Sequence, residues 1–231
     1  MPPRKRKTDI RGPAKVAAPP KREWLPNPKD GTEVCGGFDG SENNDWTGIR
    51  LETREGFQFT PRWKATGLPM IWNPAQHGGR MPRLQVHDAW EELNERFSLR
   101  RVYYDPGFND ETDPTSWKSE GELWDQKHGP DVFIPWQMGG NTRIRAVHYS
   151  LVRFESDLKQ RAISHDGCPI TARHMANARK IPKPGDRYIL GKPSQDQKID
   201  ISVTSVLCHE AACDERAAGW QTVDRTLFVF R

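Results

Sequence analysis

The residues from Glu33 to Arg54 constrain the fold of this chain most. A short segment, Glu33 to Phe38, runs into Asp39, through the polar turn Gly40 to Asn44, and into Asp45 to Arg54, which reads as a returning strand. Turn chemistry of this kind joins two antiparallel strands. Asp39 then stands at the end of the first strand, where a fixed backbone aims a carboxylate at a metal ion. Taken alone, Asp39 and Asp45 read equally well as ordinary turn acids. Other acids of the chain have to decide.

A chain of 231 residues suits one domain with appendages and is large enough to bury a core. Its mean hydropathy of -0.85 and 35% hydrophobic residues are polar for a compact domain, which points to an unpacked tail. Met1 to Arg22 holds Arg4, Lys5, Arg6, Lys7, Arg11, Lys15, Lys21 and Arg22 against Asp9, amid many prolines. Such a stretch buries too little surface to order itself, so residues 1–31 are expected to be a disordered basic arm and linker. Phosphate attraction, blind to sequence, and a merely solvated tail are equal readings of that arm. No apolar run reaches the roughly 18 residues of a membrane span, and no apolar signal core follows the basic start. Cys35, Cys168, Cys208 and Cys213 are scattered without a CxxC pair, which indicates neither a zinc site nor a disulfide framework and fits a reducing cytosol.

Beyond the arm the chain reads as a mixed α/β domain. Glu33 to Asp39, Trp46 to Thr53 and Gly56 to Lys64 are strand candidates of a meander. Pro82 to Phe97 follows as a helix, with Leu84, His87, Trp90, Glu91 and Leu93 at roughly helical spacing. Leu99 to Tyr104 is a strand that stops at Asp105-Pro106, where proline forces Asp105 into an extended conformation. A helix over Ser116 to Lys127 and a strand over Asp131 to Trp136 complete a strand, helix, strand order that favours parallel neighbours. Thr142 to Arg161 places Ile144, Val147, Leu151, Phe154 and Leu158 at steps of three and four, an amphipathic helix. A helix over Pro169 to Arg179, a turn at Pro182 to Asp186, a strand over Arg187 to Gly191, and a last helix from Lys198 to about Ala218 follow. Asp200 sits in the first turn of that last helix.

Asp39 and Asp105 at strand ends and Asp200 at a helix start share a structural position. Gathered carboxylates repel strongly, and burying them together costs several kcal/mol unless cations neutralise them. Oxygen ligands suit Mg2+ or Mn2+ rather than zinc, and two such ions about 4 Å apart can activate a water and stabilise the leaving oxygen of a phosphodiester. Each acid alone reads more readily as a cap or strand-end residue; the trio in this order shifts the balance. Lys198, two residues before Asp200, is a candidate phosphate or water contact, and Asp196 a weaker ligand candidate. Arg4, Lys5, Arg6, Lys7, Arg173, His174 and Lys180 are candidate DNA-backbone contacts, with a structural role for His174 equally weighted.

The element order resembles the ribonuclease H-like nuclease fold, a central mixed sheet of three antiparallel and then parallel strands flanked by helices. The stretches Gly37 to Thr47, Val102 to Pro106, Ser164 to Gly167 with Thr171 to Ala178, and Lys198 to Val203 with His209 to Ala211 resemble the C-terminal nuclease domain of tailed-bacteriophage large terminase subunits. They span most of residues 33 to 218, within a nuclease domain expected over 32–218 and a tail over 219–231. The resemblance implies a two-metal DNA endonuclease, using Mg2+ or Mn2+, that cuts concatemeric phage DNA during genome packaging in the host cytoplasm. It maps the metal-binding, catalytic acids to Asp39, Asp105 and Asp200, with Asp45 an outer-shell candidate. It implies double-stranded DNA, a packaging ATPase motor, the small terminase and the portal as partners, and no membrane. No Gly-x4-Gly-Lys-Ser/Thr phosphate loop occurs, and Gly191-Lys192 runs into Pro193, so the motor is expected on another chain. The acidic stretch Gly107 to Trp117, with Asp110, Glu111 and Asp113, reads as a longer loop than the family usually shows. A non-catalytic DNA-binding or packaging-adaptor module, and a resolvase- or transposase-like nuclease on the same fold, are the alternatives.

Overall fold

A computed structural model of the chain describes residues 23–42, 44–107 and 116–220. The basic residues Arg4, Lys5, Arg6 and Lys7, the acids Asp110, Glu111 and Asp113, and the tail beyond Trp220 lie outside the described residues. Two antiparallel strands open the domain, β1 (Glu33–Asp39) and β2 (Thr47–Thr53), paired in a register that sets Asp39 opposite Gly48. β3 (Phe57–Phe59) pairs antiparallel with β2, and a two-residue β4 (Ile71–Trp72) pairs with the start of β2. The meander is therefore present, but its third strand is shorter than Gly56 to Lys64. Pro61, which has no N–H to donate, ends regular pairing soon after Phe59.

Helix α1 (Arg83–Arg96) leads into β5 (Ser98–Asp105), and α2 (Lys118–His128) leads into β6 (Phe133–Pro135). The sheet order is β6-β5-β1-β2-β3, closed by β7 (Ser164–His165), with β5 parallel to both β1 and β6. Helix α3 (Ile144–Lys159), α4 (Pro169–Asn177), a separate hairpin of β8 (Arg179–Lys183) and β9 (Arg187–Gly191), and α5 (Asp200–Ala217) follow. The helix expected over Pro169 to Arg179 stops two residues early. Ala178 turns extended and Arg179–Lys183 becomes a strand.

Each face of the sheet carries its own core. On one side α1 and α2 lay Trp90 and Trp124 against Phe38, with Trp117 completing an aromatic cluster of edge-on contacts. On the other, α3 and α5 bury Val147, Leu151, Phe154, Val206, Leu207 and Ala211. Side chains of this size stabilise by about 1.5–3 kcal/mol each when fully buried. The helical spacing of α3 holds through Phe154 and then fails, for Leu158 is 40% exposed. Leu84 is likewise turned outward at 80%, and Val86, Ala89, Trp90 and Leu93 form the inward face of α1.

Gly37 decides how closely α5 lies on the sheet. A Cβ there would stand 2.2 Å from the Thr204 carbonyl oxygen and 2.4 Å from the Cys208 nitrogen, so glycine alone lets the helix backbone rest on β1. Residues 23–31, placed by their sequence with the arm, lie against this domain. The Trp24 indole N–H donates to Asp166 Oδ2 at 3.1 Å, and the Asn27 side chain bonds the Thr60 carbonyl at 3.0 Å. Asp166 is fully buried and also meets the Arg50 guanidinium at 3.3 Å and the Thr60 N–H at 2.8 Å, which ties β2, β3 and the segment before α4 together. No helix among the described residues is long and apolar enough to cross a membrane.

Candidate metal-binding acidic cleft

The parallel register of β1 and β5 sets Asp39 directly beside Asp105, both at the carboxyl ends of their strands. Neighbouring strands lie about 4.8 Å apart, so the two backbones deliver their carboxyl groups to one place. Ligand sites of open α/β sheets lie just outside such strand ends. The third acid arrives from α5. The helix crosses the sheet over Gly37, and its first residue, Asp200, accepts the Trp46 N–H through Oδ2 at 3.1 Å in the turn between β1 and β2. An acid in the first turn also faces the positive end of the helix dipole.

Electrostatics report the convergence. Burial and then the negative charges of Asp105, Asp200 and Asp45 push the Asp39 carboxyl well above the usual carboxylate range. Burial raises Asp105 as well, partly offset by two backbone donors, Gly107 N–H at 3.0 Å and Met138 N–H at 3.2 Å. Asp200 is raised to about 6, chiefly by burial, against the lowering effect of the Trp46 N–H. Asp45 behaves differently. Burial acts upward on it, but Lys192 at 2.7 Å and Lys198 at 2.8 Å hold it below its ordinary value. The cleft thus holds three acids that resist ionising together and a fourth already neutralised by two lysines. Hard oxygen donors in this arrangement fit a magnesium-class cation. Among the described residues, only Asp157, His209 and Cys213 bring three possible ligand atoms all within 4.8 Å of one another, so the cleft acids stand wider than that.

The other sequence candidates fall into distinct places. Lys198 lies at the cleft through its bond to Asp45, whereas Asp196 is exposed on the turn before α5. Arg173 is exposed on α4, and Lys180, on β8, pairs with Glu155 of α3 at 2.6 Å. His174 departs from the reading as a DNA contact. It is 1% exposed, burial lowers it to about 4, and its Nδ1 accepts the Ile201 N–H at 3.2 Å. A neutral buried ring with that bond holds the first turn of α5, and it packs edge-on against Trp46 at 5.1 Å. Two supports escaped sequence reasoning. Asn177 donates to the Lys198 carbonyl at 2.9 Å, fixing the chain just before Asp200, and Lys192 shares Asp45 with Lys198. The loop lysine carried no sequence signal beyond its charge, and Asn177 lay in a stretch whose helical role was plain but whose partner, 21 residues on, was not.

No family model matches the chain. It is 28% identical to the Gene 13 protein of Mycobacterium phage D29 over 192 residues, which cover 80% of this chain and 30% of that protein. The chain therefore spans about a third of the length of such relatives. Among solved structures, the large terminase nuclease from thermophilic phage G20c superimposes with a TM-score of 0.56 at 11% identity, covering 81% of this chain and 91% of the other. The same nuclease has been crystallised with bound magnesium, and that form gives a TM-score of 0.55 at 12% identity over 81% and 90% of the two chains. The large terminase of bacteriophage HK97 gives 0.54 at 13% identity, covering 81% of this chain and 40% of that one. The chain has the ribonuclease H-like fold of phage large terminase nuclease domains, with a central mixed sheet flanked by helices.

Proposed function

We propose that this chain is the nuclease unit of a phage genome-packaging enzyme, a divalent-metal-dependent endonuclease that hydrolyses phosphodiester bonds of double-stranded DNA. The observation that carries this reading is the meeting of Asp39, Asp105 and Asp200 in one cleft, where each carboxyl is raised by burial and Asp39 also by its acidic neighbours. The fold likeness to nucleases, one of them crystallised with magnesium, supports it.

Asp39 feels the negative charge of both Asp105 and Asp200, and the three carboxylates together would hold the divalent cations. Mg2+ or Mn2+ bound there would supply charge to the scissile phosphate and lower the pKa of a coordinated water. The protein's own part is positional. Backbone N–H groups of Gly107 and Met138 hold Asp105, Trp46 N–H holds Asp200, and His174 and Asn177 hold the turn that carries it. Lys192 and Lys198, anchored on Asp45, set positive charge beside the cleft for a DNA phosphate. Arg173 on α4 and the basic residues of the β8–β9 hairpin extend that charge.

In this reading residues 32–218, with residues 23–31 packed on them, are the nuclease unit, the basic arm of residues 1–22 adds nonspecific attraction, and the motor that moves the DNA is a separate ATPase unit. The small terminase and portal complete the assembly in the host cytoplasm. Plasmid cleavage with Mn2+ tests the account. Changing an outer support of a metal site commonly costs about 10–100-fold, so Asp39→Asn and Asp200→Asn should each lower cleavage by more than ~100-fold. Undiminished cutting by both variants would refute the assignment. Equal trials on linear duplex, plasmid and a four-way junction separate a packaging nuclease from a junction-specific one.

A further inference from the structure

Far along α5 from Asp200, a second group of side chains has no part in the acidic cleft. His209 and Cys213 are four residues apart on this helix and so share a face, and Asp157 meets them from α3. His209 Nε2 lies 2.9 Å from Asp157 Oδ2 and 3.3 Å from Cys213 Sγ, and all three ligand atoms fall within 4.8 Å of one another. Tetrahedral zinc ligands, at about 2.0–2.3 Å from the ion, stand roughly 3.3–3.8 Å apart. An opening of a few tenths of an ångström would therefore admit an ion.

The opposite ring nitrogen is already arranged as metal-bound histidines require. Nδ1 lies 3.0 Å from Oε2 of Glu52, a β2 residue with no exposed surface. That carboxylate fixes the ring so that Nε2 faces Asp157 and Cys213, the support commonly found behind a metal-bound imidazole. Cys213 is partly exposed, while Cys35, Cys168 and Cys208 are all buried.

Charge is consistent with a divalent ion. Arg216 and Arg153 approach the thiol, but Arg216 is bonded to Glu52, and Arg153 meets Glu210 at 3.4 Å. With Cys213 as thiolate and His209 neutral, the three ligands bring two negative charges, from Asp157 and the thiolate, and these match the charge of one divalent cation. We propose that Asp157, His209 and Cys213 form a binding site for one zinc-class ion, separate from the acidic cleft. A nitrogen, sulfur and oxygen set selects zinc or cobalt over magnesium. Binding releases to solvent the thiol proton and any second proton on the imidazole, and it ties α3 to the helix that carries Asp200.

The test uses the full chain, stripped with a chelator and titrated with Co2+. The expected result is a thiolate-to-cobalt charge-transfer band that saturates at one equivalent, is bleached by Zn2+ and is left unchanged by excess Mg2+. Cys213→Ser should abolish the band, Asp157→Asn should weaken Co2+ binding by ~10-fold or more, and Asp39→Asn should retain it, since the cleft offers no sulfur. Because a variant can misfold, wild-type protein supplies a second reading: Zn2+ should protect Cys213 from alkylation, followed by mass spectrometry. Absence of the band and of protection, or an unchanged band in Cys213→Ser, overturns the site. Neither result depends on whether the chain cuts DNA.

Discussion

The acids of the cleft tie function to stability at the level of single residues. A carboxyl whose pKa is raised on folding contributes stability that is full below its unfolded pKa, near ~3.9, and is lost as pH rises through the folded value. Asp39, Asp105 and Asp200 are all raised, Asp200 to about 6, so the metal-free protein should lose stability from about pH 4 upward through pH 6. Asp39→Asn removes the carboxyl whose ionisation burial and its acidic neighbours oppose. It should therefore raise the denaturation midpoint of metal-free protein at about pH 7 while abolishing cleavage, and a lowered midpoint would contradict the electrostatic account. Asp45 has the opposite sign, being lowered, and contributes stability that fades as pH falls. The positions of the three acids were legible in the sequence because each stands at the end of a recognisable element. The supports were not: the bonds of His174 to Ile201 and Asn177 to Lys198 each span more than 20 residues, and no local pattern encodes them.

Among the elements, α5 links the core to the cleft, and Gly37 sets its height over the sheet. Gly37→Ala would drive a methyl group into the helix backbone at Thr204 and Cys208, where no side chain can swing aside. Overpacking of this kind costs about 1–3 kcal/mol or more, and a helix that shifts on β1 to relieve it carries Asp200 with it. Cleavage should fall further than the decrease in folded protein accounts for, as read by activity per folded molecule. Sequence periodicity succeeded where one face is buried, as in Val147, Leu151 and Phe154, and failed where an element runs off the core, as at Leu158 and Leu84. It missed β8 because Arg179 to Lys183 alternates nothing and contains a proline. That strand exists by pairing with β9 alone. If the hairpin meets DNA, replacing Arg179, Lys183 and Arg187 with glutamine should weaken duplex binding. The salt dependence should also flatten, by ~0.9 in log-log slope for each phosphate that the variant no longer neutralises.

On the scale of the whole molecule, the sheet is held at its far edge by charge as well as by apolar packing. Arg50 and Asp166 are both 1% exposed in their side chains, and Asp166 gathers donors from residues 24, 60 and 168. Removing one partner of a buried pair typically costs about 3–5 kcal/mol. Asp166→Ala should shift the urea midpoint accordingly while leaving the cleft acids in place, and a shift below about 1 kcal/mol would show that the pair is dispensable. The sequence marked Asp166 within the Ser164 to Gly167 stretch but carried nothing to say that Arg50, 116 residues earlier, would meet it.

Diffraction from crystals soaked in Mn2+, with anomalous scattering to locate the metal, tests the central claim most directly. Two peaks about 4 Å apart, flanked by the carboxyl groups of Asp39, Asp105 and Asp200, are the expected result. Well-ordered acids with no manganese between them at saturating concentration would contradict it.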